Sequence, residues 1–161
     1  QLDLPARIVQ VTRRSESVVE IHPAGDPCEQ LLREAGSLAA DNNVPFVVAA
    51  RVVPGLCRIA IEAACFEITR GRRLGRGDDH NSVETALLAT TKLMPRLALA
   101  IFDNPDRGGE VYTWLNQQIA PWAADTARAA NEGSHGGPNT AMGPLVGDTR
   151  NLIERLRAKL S

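Results

Sequence analysis

Aromatic side chains are scarce in this 161-residue chain, at 4%. With an apolar fraction of 43%, the core must come from Leu, Ile, Val and Ala, which suits Ala- and Leu-rich helices better than a β-sandwich. Cysteine is confined to Cys28, Cys57 and Cys65. The count is odd, and Cys57 and Cys65 fall on one predicted helix, too far apart along its axis to bridge. That excludes a disulfide framework, and the spacing fits no zinc motif. A reduced, cytoplasmic compartment is the expectation. An excess of one charge is also missing: 18 basic against 19 acidic residues leave −1, so any nucleic-acid contact must be local. There is no signal peptide and no long apolar run, hence no membrane span. Absent too are the GxxxxGK[ST] phosphate loop, GxGxxG between strand and helix, HExxH and the nucleophile elbow. These absences remove the commonest nucleotide-motor, zinc and serine-hydrolase readings, and neither a metal nor a cofactor is expected. No internal repeat is visible.

What is present is helical. At this length the chain is one domain, or one domain with a small appendage. It begins at Gln1 without an initiator Met, which is the expectation for a piece of a longer protein. The segments Ala6–Thr12 and Val18–His22 are rich in β-branched residues around the polar break Ser15–Ser17, and predict a short hairpin within residues 1–25. From 26 to 161 the expectation is a mainly α bundle. Asp26 caps a first helix, with Pro27 at its first position, Glu29 three after the cap and Asp41 to Asn43 at its end. Val44–Val53 is an apolar run that periodicity leaves open between helix and buried strand, with helix preferred. Pro54–Arg73 is the longest helix and the expected centre of the fold. Further helices are predicted over Val83–Thr91, over Lys92–Phe102 with a kink at Pro95, over Glu110–Ile119, from Pro121 to Gly133, and from Gly147-Asp148 to the end. A Gly- and Pro-rich loop spans Ser134–Met142.

The chemistry starts from the central helix. Leu56, Ile59, Ile61, Phe66 and Ile68 leave it almost no polar side, so it reads as buried all round. Arg58 and Glu62 nevertheless sit inside it, one turn apart. Buried charge without partners is costly, so another part of the fold must answer this pair. The best company on offer is late in the chain, where Arg128, Asn131 and His135 follow one another at helical spacing. Arginine can hold a phosphate and histidine can move a proton near neutral pH. Together they suffice for metal-independent RNA cleavage, with Glu62 orienting His135 or pairing with Arg128. The alternatives are a helix terminus with a dipole-stabilising His, and a purely structural salt-bridge network. Arg73 and His80 have the same separation, but Gly75 and Gly77 intervene. Arg70, Arg72, Arg73 and Arg76 cluster where the long helix ends, either as a patch facing RNA or DNA phosphates or as a solvated terminus.

Arg58-x-x-x-Glu62 on an early helix and Arg128-x6-His135 on a late one, with Asn131 inside, resemble the HEPN superfamily. That resemblance implies an all-α fold with a four- or five-helix core, metal-independent ribonuclease activity and a homodimer in which two motifs form one composite site. It implies catalytic Arg128 and His135, with Asn131 and Glu62 supporting. The stretch VPFVVAARVVPGLCRIAIEAAC, with ANEGSHG later, is also similar to the C-terminal part of bacterial ATPases linked to phage defence. This implies an ATPase module upstream, with the hairpin as its tail. It implies either a toxin-like effector or a non-catalytic module that dimerises or regulates the ATPase.

Overall fold

A computed structural model describes residues 9–13, 19–23, 25–133 and 142–160. Two strands, β1 (Val9–Arg13) and β2 (Val19–Pro23), pair antiparallel with Val11 opposite Ile21. Residues 14–18, the turn of the expected hairpin, lie outside the described residues. The rest is mainly helical: α1 (Pro27–Ala40), α2 (Phe46–Gly75), α3 (His80–Ala89), α4 (Leu93–Phe102), a 3₁₀ segment (Pro105–Glu110), α5 (Val111–Gln118), α6 (Pro121–Gly133) and α7 (Met142–Leu160).

The centre of the bundle is α2, against which α1, α3, α4, α6 and α7 all pack. Its Val53, Cys57, Ala60, Ile61 and Ala64 are fully buried and join Leu32 of α1, Leu97 of α4, Ala127 of α6 and Leu152 of α7 in one core. Each large side chain so buried contributes about 1.5–3 kcal/mol relative to an exposed one. A smaller cluster of Val83, Leu87 and Leu99 seats α3 beside Phe66. All three cysteines are free and buried. Burial pushes the Cys28 thiol up to about 12, and it donates to the Ala60 carbonyl at 3.4 Å, tying α1 to α2.

Several expectations change here. The run before Pro54 is helical and continuous with the long helix, which starts at Phe46 rather than Pro54. An interior proline removes a ladder bond and crowds the preceding turn, at about 3 kcal/mol, yet Pro54 lies buried inside α2. Nor is α2 buried all round, since Ile59 is 50% exposed. Pro95 does not kink α4, because it lies in the first turn, where its missing N–H has no partner to lose. The last helix begins at Met142, before Gly147. Buried Leu145, Val146 and Thr149 anchor that first stretch, so tertiary packing outweighs the low helix propensity of its glycines. Glu29 closes no capping box. It accepts from Arg150 of α7 at 3.0 Å, while Asp26 caps α1 by accepting from the Cys28 N–H at 2.8 Å.

Two glycines show opposite uses. Gly77 takes φ +92°, and the Asp78 N–H reaches the Arg73 carbonyl at 3.0 Å, ending α2 in a Schellman-type turn. Gly133 ends α6 against the Pro54 ring, where an added Cβ would lie 2.7 Å from the proline Cβ. Gly71, by contrast, is exposed on α2 with nothing near its Cβ position. Gly133→Ala is therefore expected to destabilise the fold by about 1–3 kcal/mol, the cost of overpacking. Gly71→Ala should instead stabilise it by about 0.5–1 kcal/mol through helix propensity. Urea denaturation midpoints check both signs.

Candidate functional site

Pro54, Arg58 and Glu62 follow one another at successive turns on one face of α2. Glu62 is buried, with its side chain 11% exposed, and accepts from Arg58 Nε at 2.9 Å. Its other oxygen receives Arg96 Nη1 from α4. Arg96 also donates through Nε to the Thr90 carbonyl at 2.7 Å, and its guanidinium lies over the Phe66 ring, 4.5 Å from the centroid. One carboxylate thus joins α2 to α4, and the same arginine caps the end of α3.

The answering charge for the buried pair is therefore Arg96, which the sequence reading did not single out. A signal existed: Arg96 is the one charged residue in the helix LMPRLALAIF. Like Arg58 and Glu62, it is a charge set in an apolar helix, which needs a partner.

Arg128 does not pair with Glu62. On the exposed side of α6 it bonds Asp125 at 3.0 Å and lies over Tyr112, 4.9 Å from the ring centroid. Asn131 is half-buried on the same helix. His135 lies outside the described residues. Besides the alanines of α6 that join the core, Gly133 reaches α2 at Pro54, one turn before Arg58.

The arginine cluster at the end of α2 is engaged within the chain. Arg70 grips Glu84 of α3 with two bonds, at 2.6 and 3.0 Å. Arg72 donates to the Ala100 carbonyl at 2.7 Å. Arg73 and Arg76 both bind Asp103, at 2.7 and 2.6 Å, and Arg76 also binds Asp78. Asp103 ends α4 with φ 56°, a left-handed conformation that aspartate tolerates better than most residues. Burial raises its pKa, but the hydrogen bonds from Arg76 and Arg73 outweigh that and hold its carboxyl below the ordinary range. Asp26 is likewise held low, by its bond from Arg157, against an opposing burial effect.

No protein-family model matches this chain, and neither a curated protein nor a solved structure matches it. Among the described residues no group of His, Cys, Asp and Glu is arranged to hold a metal ion, and no helix is long and apolar enough to cross a membrane.

Removing the Glu62 carboxylate would leave two half-buried guanidiniums facing each other. Glu62→Ala is expected to cost about 3 kcal/mol, the low end for breaking a buried pair. Arg128→Ala, on an exposed pair, should stay within about 0.5 kcal/mol; chemical denaturation separates the two. Because the folded pKa values of Asp26 and Asp103 are depressed, their contribution is full above the unfolded carboxylate value, about 3.9. It is lost as pH falls through the folded values. Stability should be flat from pH 7 to about 5 and fall below about 4, with a shallower fall in Asp103→Asn.

Proposed function

We propose that residues 26–161 form a HEPN-like helical domain that cleaves RNA without a metal ion. In this reading His135 takes the proton from a 2′-hydroxyl as that oxygen attacks the adjacent phosphorus. The 5′-oxygen leaves and recovers a proton, and Arg128 stabilises the crowded phosphate. Asn131 and Glu62 support the site, and Arg58 completes the charge on the α2 face.

The observation that carries the reading is the seat of Gly133 on Pro54. Helix α6 ends there, one turn from Arg58 and two from Glu62, and in the sequence only Ser134 separates Gly133 from His135. Two such motifs would meet across a homodimer. On α2, Val48, Val52, Gly55 and Ile59 repeat at the four-three-four spacing of a helix–helix seam, and the three larger side chains are exposed. Arg70, Arg72, Arg73 and Arg76 would attract RNA at longer range, since each already holds an oxygen within the chain. The setting of this proposal is phage defence in the cytoplasm, downstream of an ATPase module whose tail is residues 1–25.

A second reading is a non-catalytic module that dimerises or regulates the ATPase. The full engagement of Glu62 by Arg58 and Arg96 favours it, because a carboxylate so held is a structural fastening. Incubating the chain with single-stranded RNA in excess chelator decides between them. The ribonuclease reading expects cleavage to ends bearing a cyclic phosphate, reduced at least about 100-fold in His135→Ala. Intact RNA, or equal cleavage by wild type and His135→Ala, leaves only the second reading.

A further inference from the structure

Among the described residues Arg33, Arg51, Lys92, Arg155 and Lys159 form no ion pair, and two of these, Arg155 and Lys159, share one helix. On α7, Arg150 and Arg157 face inward to Glu29 and to Asp26 and Glu67. Arg155 and Lys159 lie on another side of the same helix, one turn apart and exposed, with no ion pair among the described residues. Both line a groove of about 390 Å³ with Gln118, Ile119 and Trp122. Trp122, at the start of α6, is half-buried and also lines the neighbouring cleft of about 550 Å³, beside Asn151.

An accessible indole flanked by two unspent cations and bordered by amide side chains has a specific chemistry. The indole face stacks on a nucleobase of any identity, the cations hold the phosphates on either side, and Gln118 and Asn151 offer hydrogen bonds to base edges. The adjoining cleft carries Asp148 and Glu154, which repel phosphate, so the backbone is confined to the Arg155–Lys159 side. The contrast with Arg70–Arg76 is decisive. Those arginines are more numerous but bound to carboxylates and a carbonyl, so they would have to break existing bonds to contact a strand.

We propose that the groove between α5, α6 and α7 holds single-stranded RNA, with a base stacked on Trp122 and flanking phosphates on Arg155 and Lys159. This deepens the ribonuclease reading by assigning the surface that its substrate strand occupies, and rests on that reading for the choice of RNA.

The test is titration of the full chain, as wild type and as His135→Ala, with a twelve-nucleotide oligouridylate, read by tryptophan fluorescence and by anisotropy of the labelled oligonucleotide. Trp114 and Trp122 are the only indoles. Quenching is expected on binding, and Trp122→Ala should abolish most of it and weaken affinity at least about fivefold. The exposed double variant Arg155→Ala/Lys159→Ala should keep its circular-dichroism melt and flatten the salt dependence of log affinity by about 1.4, two single-strand phosphate contacts at 0.7 each. An unchanged slope and affinity in the double variant, or saturation without quenching, overturns the proposal. So does an acidic peptide that competes equally well, which would make the groove a protein-docking surface. Absence of cleavage with quenching intact removes the ribonuclease reading and leaves the groove as an RNA-binding site.

Discussion

A single carboxylate held between two guanidiniums is the constraint on which this fold turns. Glu62 sits on the central helix, with Arg58 a turn away on the same helix and Arg96 arriving from α4. Taking these charges out of water is costly, and the cost is offset only when every partner is present in good geometry. Their arrangement therefore fixes more than their own positions. It sets how far along α2 helix α4 docks, and through the Thr90 carbonyl it sets where α3 stops.

The same device recurs at other junctions. Arg157 joins the start of α1 to α2 and α7 through Asp26 and Glu67. Arg73 and Arg76 lock the end of α2 to the end of α4 through Asp103. Arg70 holds α3 through Glu84. Each clamp adds a directional contact, with the fixed planar geometry of a guanidinium on a carboxylate, to the registration of one helix against another. The arginine richness of the chain thus has a structural use before any functional one. Among the described cations left without an ion pair, Arg155 and Lys159 stand out because they line one groove together.

The candidate site was legible in the sequence only as an arrangement waiting for partners. That Arg58 and Glu62 form a pair needing an answer followed from two charges in an apolar helix. Which residue answers did not follow, because Arg96 is 34 positions from Glu62 and no local pattern links them. Trp122 with Arg155 and Lys159 is similarly invisible along the chain, since the groove exists only once α6 and α7 lie side by side. Arg128 illustrates the opposite case. It sits on the expected helix, but its neighbours Asp125 and Tyr112 turn it away from the α2 carboxylate.

Local chemistry by itself determined the helical class, the capping of α1 by Asp26, the start of α6 at Pro121 and the lack of a disulfide among the three cysteines. These depend on residues a few positions apart, where propensity and hydrogen-bonding geometry act directly. Tertiary structure alone decided that Pro54 would lie within a continuous thirty-residue helix. It decided likewise that α7 would begin before its glycines and that Glu62 would be met from α4. In each case burial against distant helices contributes more than the local preference opposing it, and that contribution comes into being only when the bundle closes.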